Sequence, residues 1–273
     1  MHYENSPLII KRLFSEIYGI LRNTERNVNE IWQDISEIKF LKRFQDNEYE
    51  IYEFIGQFDF LSIEDGNYSK RKYIAIDKIK FICDAIKHLS LDLRDLSGII
   101  DYGGFEALIA EILSINGFYT IKNFRFSDKS YFKNPIKNTQ KRYEIDVIGI
   151  QGKYILVIDA KHWRKKDSFS AINNAANMQY QRVLALKENP EIFSKLIQHL
   201  LGVNPKIKKQ LPFILIPMMI TLENNNSKMN DNQVPLVSIY YLNSFLQELP
   251  LNTHYCQTIK IKKVNIQTQL KIL

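Results

Sequence analysis

A chain of 273 residues that is 45% hydrophobic, with 16 Phe, 15 Tyr and 2 Trp, can bury a sizeable core and is not a disordered tract. Its 37 Lys and Arg against 30 Asp and Glu leave a formal net charge of +7, which leans toward polyanionic partners without identifying one. Cys83 and Cys256 alone exclude a disulfide scaffold and a cysteine-ligated zinc site. The longest apolar stretch, Pro212 to Ile220, is about half of a membrane span, and the segment from Met1 to Pro7 has no apolar signal core. A soluble cytoplasmic protein with no membrane association is expected.

The charge divides the chain. Residues 1–95 hold 14 Lys and Arg against 17 Asp and Glu, net −3, and residues 96–273 hold 23 against 13, net +10. Two domains with these bounds, 1–95 and 96–273, are expected. In the first, apolar positions 9, 10, 13, 14, 17, 20 and 21 predict a helix over Leu8 to Leu21. Asn27 as a cap, with Val28, Ile31, Trp32 and Ile35 facing inward, predicts a second helix through Ser36. A third runs from Asn47 to Gly56. Phe58 to Ile63 and Lys72 to Ile76 read as strands about a turn at Glu64-Asp65-Gly66-Asn67, and Asp77 caps a further helix ending near Leu89. Three helices, a hairpin and another helix resemble a winged-helix domain, mainly helical, whose third helix would enter the DNA major groove. That helix carries Glu48, Glu50 and Glu53 and no Lys or Arg. Only Lys70, Arg71 and Lys72 at the hairpin suit phosphate, so DNA and protein stay equally open as partners of this domain.

The second domain begins beyond a junction in which Ser90 to Ile100, with Leu91, Leu93, Leu96, Ile99 and Ile100 apolar, reads as a short helix, and a break at Gly103-Gly104. A helix over Phe105 to Asn116 ends at Gly117. Strands follow at Phe118 to Phe126, Arg142 to Ile150 and Lys153 to Ala160, the last two joined by a turn at Gln151-Gly152. A helix over Ser168 to Lys187, a long connection from Asn189 to Gln210, a continuous apolar strand from Leu211 to Ile220 and a strand from Val234 to Tyr241 complete it. This order is a mixed α/β layer architecture.

Two of these strands carry acids in unusual places. Asp146 sits among Ile145, Val147 and Ile148, and Asp159 ends the run Tyr154 to Ile158. Alternation puts Asp159 and Lys161 on one face, and the tight hairpin brings both acid-bearing strands together. Paired buried carboxylates are costly without a cation between them, and hard oxygen ligands suit a divalent metal. Asp-x-Lys alone is common and ordinarily an ion pair at a strand end. The specific feature is its place after Phe105-Glu106, Gly117-Phe118 and Asp146.

The stretch from Phe105 to Lys161 resembles the PD-(D/E)xK nuclease superfamily, nearest to the archaeal Holliday-junction resolvase and Mrr-like restriction endonuclease branches. Gly117 follows Glu106 by eleven positions and Asp159 follows Asp146 by thirteen, as in the resolvase branch. Ile145 stands where the family often has Pro, and Asp159 where Glu is commoner. The resemblance implies a restriction-endonuclease-like mixed sheet flanked by helices, and a metal-dependent endonuclease hydrolysing DNA phosphodiester bonds to leave a 5′-phosphate. It implies Mg2+ or Mn2+ held by Asp146, Asp159, the Ala160 carbonyl and Glu106, with Glu111 as a rival to Glu106. Lys161 would position or deprotonate the attacking water. Arg164, Lys165 and Lys166 just after the motif, and Gln179, Gln181 and Arg182 on the next helix, are candidate nucleic-acid contacts, against the plainer readings of a solvated turn and a helix surface. A homodimer is the expected assembly, since paired cuts need two sites. The alternatives are a non-cleaving DNA-binding or assembly subunit on a nuclease fold, and an RNA-directed or effector-gated defence nuclease.

Overall fold

The structure, a computed structural model, describes residues 7–44, 48–66, 71–89, 96–127, 141–162, 169–222 and 228–265. The chain divides into two compact units, Met1–Glu111 and Ile112–Leu273.

The first unit contains α1 (Pro7–Arg22), β1 (Glu30–Asp34), α2 (Glu48–Ile55), β2 (Leu61–Asp65), β3 (Lys72–Asp77) and α3 (Lys78–Leu89). The three strands are antiparallel in the order β1-β3-β2. Helix α1 buries Leu13, Phe14, Ile17 and Leu21, one face at helical spacing. Phe14 packs on Phe60 and Phe81 with ring centroids 5.1 and 5.3 Å away, so aromatic rings fill this small core. Asp77 caps α3 as expected, accepting from the Ile79 and Lys80 N–H groups at 2.8 and 3.0 Å.

The expected second helix is not formed. Residues 30–34 are strand β1, with Trp32 opposite Ala75, and Asp34 caps a single turn of 3-10 helix over Ile35–Glu37. Val28, Ile31, Trp32 and Ile35 repeat at helical spacing, but pairing with β3 satisfies the same backbone groups and suits the β-branched and aromatic side chains. The expected inward face differs as well: Trp32 is 55% exposed, Val28 is exposed, and of the four only Ile35 is buried. The unit is mixed rather than mainly helical.

The second unit is built on one sheet. After α4 (Tyr102–Ile115), which crosses the division between the units, come β4 (Tyr119–Ser127), β5 (Arg142–Gln151) and β6 (Tyr154–Lys161). Then follow α5 (Phe169–Glu188), α6 (Pro190–Leu201), β7 (Phe213–Thr221), β8 (Leu236–Ser238), α7 (Leu242–Asn252) and β9 (Ile259–Ile261). The strand order is β4-β5-β6-β7-β8, with β9 on β7. β4, β5 and β6 are antiparallel neighbours, while β6, β7 and β8 run parallel. Gly117 (φ +81°) closes α4 and Gly152 (φ +55°) turns β5 into β6, both in the left-handed region that favours glycine. On one face Ile148, Ile150, Ile155 and Val157 share a core with Val183 and Leu186 of α5 and Phe193 and Leu196 of α6.

The segment from Asn189 to Gln210 is not a plain connection: it holds α6 and a 3-10 turn over Pro205–Gln210. The last expected strand shortens to β8, because residues 239–241 turn as 3-10 helix into α7. No helix of the described residues is long and apolar enough to cross a membrane.

Candidate active site

The site lies where β5 and β6 part. Their ladder runs from Gln151↔Tyr154 to Val147↔Ile158 and stops. The next step of that register would set Asp146 against Asp159, on the face of Ile148 and Val157. β6 does not follow β5 there. It stays on β7, pairing Asp159↔Met219, Ala160↔Ile220 and Lys161↔Thr221. The Ala160 N–H therefore needs another acceptor, and Asp146 Oδ2 takes it at 2.8 Å. The ladder on the other side of β5 breaks at the same level. Between Lys122↔Val147 and Phe124↔Ile145 stands Asn123, at φ +54°. Asn tolerates that region better than most residues, and such departures gather at functional sites.

Asp159 is the electrostatic centre. Its side chain is only 3% exposed, and it meets two cations: Arg182 Nη1 lies 2.7 Å from Oδ1 and Lys161 Nζ lies 2.8 Å from Oδ2. The two contacts differ in kind. The arginine donates a hydrogen bond. The ammonium approaches at a poor angle, so Oδ2 is ion-paired but buried without a hydrogen-bond donor. Coulomb attraction depends on distance, so the ion pair stands although the hydrogen bond fails.

Helix α5 positions the arginine. Gln179 and Arg182, three apart, share its inner face. Gln179 is fully buried and donates from Nε2 to the Val157 carbonyl at 2.7 Å, and its Oε1 accepts from Arg182 at 2.9 Å. One side chain thus ties the helix to β6 two residues before Asp159.

Asp146, Asp159, Ala160, Lys161, Gln179 and Arg182 are therefore brought together. Gln181 is not: it is exposed on the outer side of α5. Glu106 is buried and Glu111 half-buried on α4, both within the first unit. Glu144 is exposed and pairs across the sheet with Arg125 at 2.9 Å. Arg164, Lys165 and Lys166, and Lys70 of the hairpin, lie outside the described residues.

Among the described residues no group of three or more His, Cys, Asp or Glu side chains is close enough to hold a metal ion. Magnesium, however, is ordinarily held by one or two carboxylates with waters and substrate phosphate. Two hard-oxygen acids, one with a buried oxygen lacking a donor, match that requirement in type. Sequence reasoning placed Arg182 against nucleic acid and missed it as the partner of Asp159. Nothing in the order of residues shows which strand α5 crosses.

No family model and no curated protein matches the sequence. Among solved structures, the crystal structure of protein VC1899 from Vibrio cholerae is similar at a TM-score of 0.31 and 11% identity. The match covers 91% of this chain and 52% of that one, so this chain spans about half the length of that protein's chain.

Proposed function

We propose that the second unit is a metal-dependent endonuclease that hydrolyses DNA phosphodiester bonds, using magnesium or manganese, on a PD-(D/E)xK, restriction-endonuclease-like fold. The observation that carries this reading is the convergence of Asp146, Asp159 and Lys161 where β5 leaves β6, with an acid oxygen that no donor satisfies. Asp146 and Asp159 would hold the cation, with the Ala160 carbonyl beside them. A bound divalent cation lowers the pKa of its water and offsets charge on the phosphate. Lys161 orients the attacking water and offsets charge that builds on the phosphoryl oxygens. Gln179 keeps β6 from shifting, so Asp159 holds its place. The net +10 of residues 96–273, with Arg164, Lys165 and Lys166 next to the motif, supplies phosphate attraction. Paired strand cuts would require a homodimer.

The first unit is read as a winged-helix-like module from its helix and strand order and its β1-β3-β2 sheet. Helix α2 exposes Tyr49 and Tyr52 beside acids, and Lys72 at the hairpin lies over the Tyr52 ring at 5.1 Å. That surface favours a protein partner over a DNA groove.

The test is a cleavage panel of duplex, single-stranded, flap and junction DNA, with RNA in competition, in magnesium, manganese or EDTA. Metal-dependent cleavage of DNA, lost in Asp159→Asn and Lys161→Met, is expected. Intact DNA in every arm would overturn the reading, and preferential cutting of RNA would replace it with the RNA-directed one. One observation favours a second reading, a non-cleaving DNA-binding subunit: Asp159 is already neutralised by two cations. DNA binding without any magnesium- or manganese-dependent rise in melting temperature would select it.

A further inference from the structure

We infer that Arg182 is an exchangeable counter-ion: it occupies Asp159 while the metal is absent, and passes to a substrate phosphate when the metal arrives. The inference rests on the metal-dependent nuclease reading and deepens it.

A carboxylate as buried as that of Asp159 is costly without compensating charge, and here both oxygens are covered, Oδ1 by Arg182 and Oδ2 by Lys161. The two cations are not equally removable. Lys161 stands two residues along the same strand, on the same face, so its backbone cannot retreat from Asp159 while β6 stays paired with β7. Arg182 reaches in from a separate helix on a long side chain that is 24% exposed, and its other bond is to the neutral Gln179 Oε1. It can turn to solvent without moving the backbone. A divalent cation at Asp159 would sit against the guanidinium, and like charges at that range repel strongly in a shielded site. Lys161 stays tethered beside Asp159 by its own strand, whereas Arg182 is held there through its side chain alone, so Arg182 is the group that leaves. A displaced guanidinium at the mouth of the site presents a planar fork that fits phosphate oxygens. Metal binding and DNA binding are then coupled through one side chain, and the coupling runs equally in both directions.

The experiment is calorimetric titration of the DNA-free full chain with Mn2+, followed by steady-state kinetics. In Arg182→Gln the competitor is gone, and Mn2+ should bind at least about threefold more tightly than in wild type. In Asp159→Asn Mn2+ binding should be lost. In EDTA, Arg182→Gln and wild type should bind duplex DNA alike, because the arginine is then engaged by Asp159. In Mn2+ the variant's KM should rise at least about threefold, since the phosphate contact is missing. Manganese affinity unchanged or weakened in Arg182→Gln, with Asp159-dependent binding in wild type, would overturn the exchange while leaving the nuclease reading in place. No Mn2+ binding by wild type would overturn that reading and the exchange with it. If Arg182→Gln does not fold, Arg182→Met takes its place: the competing charge is again removed, so tighter Mn2+ binding is again expected and an unchanged affinity contradicts it.

Discussion

Several carboxylates of the first unit serve the backbone, while two of the second, Asp146 and Asp159, meet at a break in the sheet. Glu16 accepts from the Lys39 and Phe40 N–H groups at 2.6 and 2.8 Å. Asp77 caps α3, Asp84 accepts from the Asp59 N–H at 2.9 Å, and Asp101 accepts from the Gly104 N–H at 2.7 Å. Each of these acids is explained by the turn or helix end that it completes. Asp146 stands between the two kinds, because it holds the Ala160 N–H and also faces the site. The acceptor bond and ion pairs of Asp159 go only to side-chain cations, and one of its oxygens has no donor. The difference separates acids whose partners are the backbone groups of a turn or helix end from a buried acid whose partners are side-chain cations, a setting that points to a functional reason.

Four substitutions or modifications can break or sharpen that contrast. The largest effect is expected from Asp146→Ala. Cleavage should fall at least about a hundredfold with the loss of a metal-holding carboxylate. The orphaned Ala160 N–H should also cost about 1–3 kcal/mol in denaturant unfolding. Asp146→Asn, which keeps an acceptor, should lose cleavage alone; full cleavage in either variant removes Asp146 from the chemistry.

Asp77→Ala should lower stability by about 1 kcal/mol through the lost cap while cleavage is retained. A cleavage defect of the same size as that of Asp146→Ala would erase the distinction between the units.

A smaller effect concerns pH. Burial pushes the Asp84 carboxyl above its ordinary value, despite the Asp59 N–H that it accepts. The folded state then binds this proton more tightly than the unfolded chain. The stabilisation from Asp84 is full below the unfolded carboxylate range and is lost as pH rises through the folded value. Asp84→Asn should flatten the melting profile on the alkaline side of the ordinary carboxylate range. A profile identical to wild type would show that the buried acid carries no such penalty.

The smallest effect is chemical. Burial, reinforced by Glu111, Asp84 and Asp77, pushes the Cys83 thiol up to about 12. Iodoacetamide at neutral pH should leave it unmodified until the chain unfolds, and rapid native labelling would contradict this.

The second unit was the more legible region. β5 and β6 are long β-branched runs joined by a glycine turn, and Gly117 marks the end of α4, so local chemistry and tertiary placement agree. The acid positions stood out because they interrupt those runs. β1 was read as a helix because its apolar spacing fits both periods, and the strand that decides the matter, β3, comes about forty residues later in the chain. α6 did carry a usable signal: Pro190 at its first turn, with Phe193, Leu196 and Ile197 buried at helical spacing. The Arg182–Asp159 pair carried none, since it depends on how α5 crosses β6.

The central claim is that Asp159 is kept for chemistry rather than for folding. Single-turnover cleavage of duplex DNA by Asp159→Asn in manganese, measured beside its melting temperature, tests it most directly. The amide still accepts from Arg182 but cannot hold a divalent cation as a carboxylate does. The expected result is cleavage reduced at least about a hundredfold, with a melting temperature within about 2 °C of wild type. Wild-type cleavage, or a large drop in melting temperature with cleavage intact, would contradict the account.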